Sequence, residues 1–326
     1  MLILSEHDVN ELLTMPECID VMHRLFATLA TANFVQPLRL IACQPDRRGG
    51  IAAMPAFVGT SNAIGAKLIT VFPQNRKAGL DSHQGIVALH ETQQGRLLGI
   101  FHAGAVTEIR TAAVSGMATR LLAREDAGDL AILGSGAQAR SHLQAMRSVR
   151  TLRRVRVWSR TTDNAQAFAS WASGDVRGIE IRVCVTPEEA VCDADLICTV
   201  TAATQPVLQG AWLTPGAHIN AAGASVPGFR ELDTDAIMRS RLFVDSRESA
   251  LAEADDIRAA ISEGRVDTSH IAGDLPELAS GRVPGRRNAD EVTLFESCGM
   301  AIEDVAAVAF LYERATALGR GTTVEF

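Results

Sequence analysis

The chain has 326 residues, 47% hydrophobic and 21% charged, a balance that suits a soluble globular protein with two cores of ordinary domain size rather than one giant core. A formal net charge of −7 gives no electrostatic reason for a nucleic-acid partner, and the short run Arg150, Arg153, Arg154 and Arg156 reads as a solvated strand-edge face. The start MLILSEHDVNELL lacks the basic flank and long apolar core of a signal peptide, no stretch reaches membrane-spanning length free of charge, and the six cysteines form no CxxC pair or metal-spaced cluster, so the expectation is a cytoplasmic protein with reduced thiols, no membrane partner and no metal.

Residues 5–33 are predicted helical: Ser5 is an N-cap candidate with Asp8 three positions on, and Val9, Leu12 and Leu13, then Ile19, Met22, Leu25, Phe26 and Leu29, form an apolar stripe. Between 37 and 102 the texture changes to short apolar runs (LRLIA, GIAAMPAF, AIGAKLITVF, GIVALHE, LLGIFHA) broken by DRRGG, GTSN, PQNRKAG and TQQGR, the pattern of strands in an antiparallel or mixed sheet. Residues 107–123 read as a helix with Thr107 as its cap. From 124 onward strand candidates (DLAILG, RRVRVWS, IEIRVCV, ADLICTVT, AHINAAG, RLFVDS) alternate with helix candidates (AQARSHLQAMRSV, TDNAQAFASWA, PEEAVC, TDAIMRS), which points to a parallel sheet. An apolar-striped helix over 301–319, closed by Gly319, is expected to return to the first domain. The fold class is therefore α/β: a doubly wound parallel sheet over 124–303, plus an α+β domain built from both chain ends, 1–123 with 304–326.

The run DLAILGSGAQA places Gly134, Ser135, Gly136, Ala137 and Gln138 between a strand and a helix, with Ala139 at the third position of a GxGxxA pattern. In that context each residue type has a reason: Gly134 allows the tight turn, Gly136 lets backbone approach a pyrophosphate, and Ala139 keeps the helix close to the sheet, while the helix N-terminus meets the phosphates. In that context the pattern predicts a Rossmann dinucleotide site, the alternative being only a tight turn between a strand and a helix. Where an NAD site usually carries an acid for the ribose hydroxyls, at the end of the second strand, this chain has Ser159, Arg160 and Thr161. A guanidinium and two hydroxyls suit a 2′-phosphate, so the expected cofactor is NADPH, with NADH as the other option. The plainer alternative has Arg160 facing water and Thr161 or Asp163 capping the next helix. Thr199, Val200 and Thr201 fall at the carboxyl end of another parallel strand, where ligands collect, and Gly223 follows AHINAAG where a nicotinamide ring would approach backbone.

Several stretches, QPLRL (36–40), AAMPAF (52–57), GAKLIT (65–70), SHQG (82–85), EIRTAAVSGMAT (108–119), GSGAQA (134–139), INAAGASVPGFREL (219–232) and LFESCGMAIEDVAA (294–307), together resemble the ornithine cyclodeaminase and mu-crystallin family over nearly the whole chain. The resemblance implies a dimer-forming substrate domain made from both chain ends and an NAD(P)-binding domain between them, hence a homodimer. It also implies a division of chemistry: cyclodeaminases carry an Asp in the segment corresponding to GASVPG and a Glu just before the Met-Pro pair, whereas this chain has Ser225 and Ala52. Neither is a proton acceptor at neutral pH, which disfavours deamination. Serine there, with SHQ at 82–84, is similar to the branch of ketimine and delta-1-pyrroline-2-carboxylate reductases. The alternatives are an ornithine cyclodeaminase or alanine-type dehydrogenase, and a non-catalytic protein that holds NADPH and a small ligand.

A small cyclic imino acid presents a carboxylate and a C=N bond that accepts hydride readily when protonated. Arg110 is the first choice to clamp the carboxylate bidentately, Arg39 the second, and Lys67, inside an apolar run, can supply the proton with a pKa lowered by burial. His83 either touches substrate or satisfies a buried hydrogen bond, and Ser225 lines the substrate. Thr111 is placed near the nicotinamide end. Asp304 begins the last helix, where a carboxylate is stabilising anyway, with at most a supporting place at the site.

Overall fold

A computed structural model describes residues 1–325 except Ala30, Ala32, Arg47 and Arg177, with Thr60, Pro73, Arg76 and Lys77 described by backbone only. The elements run β1 (Leu2–Leu4), α1 (Glu6–Leu12), α2 (Met15–Leu29), β2 (Phe34–Val35), β3 (Leu40–Cys43), β4 (Gly50–Val58), β5 (Ala63–Val71), β6 (His83–Glu91), β7 (Leu97–His102) and α3 (Ala103–Leu122). Then follow β8 (Asp129–Leu133), α4 (Ala137–Val149), β9 (Arg154–Trp158), α5 (Thr162–Asp175), β10 (Glu180–Val183), α6 (Pro187–Val191), β11 (Leu196–Thr199), β12 (His218–Ala221), α7 (Thr234–Arg239), β13 (Ser240–Val244), α8 (Arg247–Glu253), α9 (Asp255–Ser262), β14 (Ile271–Asp274), α10 (Leu275–Ala279), β15 (Val292–Glu296), α11 (Ala301–Leu318) and β16 (Thr322–Thr323). The chain divides into two compact units, residues 1–110 with 300–326 and residues 111–299. The first division falls inside α3, which runs without a break from Ala103 to Leu122.

In the terminal unit a mixed sheet has the order β16-β1-β7-β6-β5-β4-β2, with β3 also paired to β4. The single helix expected over 5–33 is two. Ser5 forms a capping box with Asp8 to start α1, but Pro16 has no amide hydrogen for the carbonyl of residue 12, so the helix stops and restarts with Pro16 in the first turn of α2. Thr107 lies inside α3 and caps nothing: the helix begins directly after β7, and the His102 ring accepts the Ala105 amide at 3.2 Å in the role expected of a cap. Strand alternation sorts the sheet faces. On β5 Ala63, Gly65, Lys67 and Ile69 point inward, Gly65 lying directly against Val305 of α11, while Ile64 and Leu68 point out. Gly319 closes α11 in the left-handed conformation at φ 63°.

The central unit is an eight-stranded sheet, order β10-β9-β8-β11-β12-β15-β13-β14, parallel throughout. Its middle strands are apolar runs buried on both faces, with Ile132, Leu133, Ile197, Ile219, Leu294 and Phe295 fully enclosed, as helices on both sides of a parallel sheet require. Truncating such a residue to alanine typically costs about 2–5 kcal/mol. The arginine run is not a uniformly solvated face. Arg153 and Arg154 pair with Asp129, but Arg156 is buried and donates to the Cys192 carbonyl, and half-buried Arg150 ties together carbonyls of Thr119, Ala123 and Arg124. No helix of the described residues is long and apolar enough to cross a membrane, and no cluster of potential metal ligands occurs among them.

Candidate functional site

The central unit gathers the residues of the glycine motif along the carboxyl edge of its sheet. Gly134 leaves β8 at φ 127°, a conformation that side chains avoid, and its amide donates to the Trp158 carbonyl at 2.8 Å. A Cβ there would sit 2.6 Å from the Val200 carbonyl oxygen, so the turn can pass β11 only as glycine. Gly136 is the N-cap of α4 and provides no side chain to cap it, while Ala139 is fully buried, holding the helix on the sheet. A bare helix N-terminus reached by a strained glycine turn fits the pyrophosphate of a dinucleotide.

Neighbouring strand ends continue the edge. Ser135 donates its hydroxyl to Ser159 at 3.0 Å, joining the glycine turn to the end of β9. Arg160 and Thr161 are exposed there. Thr161 occupies the N-cap of α5, yet its hydroxyl makes no capping bond, and no acidic side chain stands at 159–161. Ala137 and Gln138 lie in the first turn of α4, half-buried, with Gln138 Oε1 unpartnered. Thr199 is buried, and Val200 and Thr201 are half-buried beyond the end of β11; Thr111 is buried on α3. Gly223 has a reason for being glycine that the sequence reading lacked: a Cβ at 223 would lie 2.2 Å from the Thr201 carbonyl and 2.5 Å from the Glu231 carboxylate. The tight space beside it is filled by the protein itself. Ser225 is half-buried in the loop that follows.

The terminal unit holds the second group. Lys67 points inward from the middle of β5, and its Nζ lies 2.7 Å from Oδ2 of Asp304, in the first turn of α11, with the Thr107 hydroxyl at 3.5 Å. The other oxygen of Asp304 accepts from Arg110 Nε at 3.0 Å, and Arg110 Nη1 reaches Glu303 at 2.5 Å. Lys67 and Arg110 are 3% and 4% exposed and the two carboxylates are fully enclosed, so two cations and two anions neutralise one another out of water. Burial pulls the Lys67 ammonium down to about 8; the attraction of Asp304 acts the other way and keeps it from falling further, while Arg110 and Arg39 push it down. Burial would raise the Asp304 carboxyl, but Arg110 and Lys67 outweigh it and hold Asp304 below the usual range. Arg110 shows the mirror image: burial opposes its charge, and Asp304 and Glu303 raise it above its ordinary value.

These distances change how the residues read. Arg110 was expected to clamp a substrate carboxylate bidentately, but Nε and Nη1 already serve Asp304 and Glu303, leaving Nη2 as the nitrogen that neither carboxylate takes. Asp304, expected to support the site from a distance, touches Lys67 directly, and Glu303 was not singled out at all. The only sequence signal for it is an adjacent acidic pair opening an apolar helix, which helix-dipole preference explains just as well. Arg39 is half-buried and close enough for its charge to act on Lys67. His83 starts β6 exposed, with Nδ1 3.0 Å from the Ser82 hydroxyl, so it is no buried core histidine. Ala52 sits on β4 opposite Ile69, and Met54 opposite Lys67, so the strand beside the lysine offers no carboxylate.

Comparison with known proteins gives a consistent picture. Residues 1–319 match the model of the ornithine cyclodeaminase/mu-crystallin family. The chain is 40% identical to the ketimine reductase mu-crystallin of Mus musculus, over 87% of this chain and 89% of that protein. It is similar in structure to the delta-1-pyrroline-2-carboxylate reductase of Thermococcus litoralis, solved with NADH and L-proline, at a TM-score of 0.96 and 37% identity, covering 99% of this chain and all of that one. An archaeal alanine dehydrogenase dimer with bound NAD superposes at a TM-score of 0.93 and 30% identity, covering all of this chain and 99% of that one.

Proposed function

The chain belongs to the ornithine cyclodeaminase/mu-crystallin family, and on that premise we propose that it is a nicotinamide-dependent oxidoreductase that reduces the C=N bond of small cyclic ketimines, delta-1-pyrroline-2-carboxylate to L-proline and its six-membered homologue to L-pipecolate. The observation that carries this reading is the Lys67–Asp304–Arg110 network, because it holds a buried ammonium 2.7 Å from a carboxylate, with burial pulling its pKa down to about 8. A bound reduced nicotinamide would supply the hydride. Lys67 supplies the proton, directly or through water, that leaves the imine nitrogen as a secondary amine. Arg110, through Nη2, and Arg39 provide the positive field for the substrate carboxylate, with His83 and Ser225 as further substrate contacts. With Ala52 and Ser225 where cyclodeaminases carry acids, the chain has nothing at those places to strip a proton from an amine.

For the cofactor, the residues Gly134 to Gln138, Thr111, Thr199 to Thr201 and Gly223 hold the dinucleotide, and the absence of an acid at 159–161 beside exposed Arg160 favours NADPH over NADH. The alanine dehydrogenase relative is described as a dimer. In this chain Leu40, Leu68 and Ile86 are exposed on the open face of the terminal sheet, and the register Leu40↔Ala53↔Leu68↔Ile86 makes them one apolar row across four strands. That row is proposed to meet a second copy in a homodimer, and Leu68→Asp should then lower the mass in solution toward that of one chain; a variant with unchanged mass removes this face from the interface. A cytoplasmic setting suits a chain whose six cysteines form no disulfide.

The test of the activity is cofactor oxidation across five- and six-membered cyclic imino acids, with ornithine, and with pyruvate plus ammonia, using both reduced nicotinamides. Oxidation with the cyclic imines, faster with NADPH, is the expected result. Ammonia release from ornithine, or no oxidation with any imine, contradicts the reading.

A further inference from the structure

Glu231 has no part in the roles above, yet it is one of the most densely bonded side chains of the central unit. It lies fully buried in the loop between β12 and α7. Its Oε1 accepts the Thr201 amide at 2.5 Å and the Thr201 hydroxyl at 2.7 Å, and its Oε2 accepts the Thr199 hydroxyl and the Gly223 amide, both at 2.8 Å. Two donors on each oxygen is what an ionised carboxylate, an acceptor only, can satisfy in full. The loop that carries it is held in turn by Asp256 of α9, whose Oδ1 accepts the amides of Glu231 and Leu232 at 2.9 and 2.8 Å. The segment 199–201 is thereby caught from two sides, by Gly134 against the Val200 carbonyl and by Glu231 on the flanking threonines.

We infer that Glu231 is a positioning residue for the nicotinamide half of the bound dinucleotide: one carboxylate joins the carboxyl ends of β11 and β12 and fixes the two backbone segments on which that half rests. The inference builds on the dinucleotide reading of the glycine edge. The Glu231 side chain accepts from both Thr201 and Gly223, and Gly223 must lack a Cβ because the Glu231 carboxylate and the Thr201 carbonyl occupy that space. A carboxamide in place of the carboxylate would set an NH2 donor against one of the donating groups, so Glu231→Gln breaks part of the clamp while keeping its volume.

The experiment uses the full chain with Glu231→Gln and with the near-isosteric Thr199→Val, which removes a single bond of the four and gives an answer even if the Glu231 variant does not fold. The probes are the reduced dinucleotide that the unaltered protein prefers and the matching adenosine fragment that lacks the nicotinamide riboside, adenosine 2′,5′-bisphosphate for NADPH or AMP for NADH. The expected result is that Glu231→Gln weakens dinucleotide binding about tenfold and lowers kcat, Thr199→Val weakens it about threefold, and fragment affinity holds within about twofold in both. Equal losses for fragment and dinucleotide would make Glu231 a general support of the domain, and unchanged dinucleotide affinity would remove the role altogether; either overturns the inference. An unaltered protein that binds neither dinucleotide would overturn the underlying reading as well, which the first two outcomes do not.

Discussion

The two units place polar chemistry in the protein by opposite means. The glycine edge of the central unit is built from what the backbone provides: a turn that only glycine can make, a helix start without a side-chain cap, and strand ends joined by hydroxyls and one carboxylate. The terminal unit concentrates four formal charges, Lys67, Arg110, Glu303 and Asp304, where water is excluded. A shape made from backbone survives the loss of most single side chains. A buried charge network does not, because removing one partner leaves another uncompensated, typically at a cost of about 3–5 kcal/mol. On the proposed function, recognition of a common cofactor falls to the robust region and proton handling to the fragile one.

The largest effect expected from that contrast is at Lys67. Lys67→Met should lower kcat by about a hundredfold or more while leaving dinucleotide affinity nearly unchanged, as measured by steady-state turnover and fluorescence titration. A variant with near-normal turnover would strip the charged region of its chemical role. A smaller effect is expected on the backbone-built side. Arg160→Ala should shift the ratio of kcat/KM for NADPH to that for NADH by about tenfold toward NADH, because a charge-assisted contact to the 2′-phosphate is lost while the glycine turn is untouched. A ratio that stays put would mean Arg160 only faces solvent.

The same contrast explains what could be read in the sequence. Gly134, Gly136 and Ala139 stand within six residues of one another, so a local pattern exposed the cradle, and the alternation of apolar runs exposed most of the parallel sheet. The stretch between β13 and α11 escaped because α8, α9 and α10 are five to eight residues long, too short to show a period, and β14 and β15 are brief. Glu303 and Asp304 escaped for a different reason. They lie 193 and 194 residues from Arg110, and only the return of α11 onto the terminal sheet turns two acids at a helix start into partners of buried Arg110 and, for Asp304, of buried Lys67. Glu231 was hidden likewise, since Thr199 and Thr201, two of the residues it binds, lie 32 and 30 residues before it in the chain. The break at Pro16 and the histidine cap of α3 show that short-range punctuation also decides where an element starts, even when its apolar stripe continues.

The central claim is that Lys67, held by Asp304, donates the proton, and its most direct test is the pH profile of kcat/KM for the cyclic imine in the unaltered protein and in Asp304→Asn. The protonated ammonium is the active form, so the rate should be level at lower pH and fall as pH rises through about 8. Asp304 raises the lysine's pKa by attraction, so losing that charge should move the falling limb to lower pH, by roughly one unit or more. A limb that stays in place in Asp304→Asn, or no limb near 8 in the unaltered protein, would contradict the account.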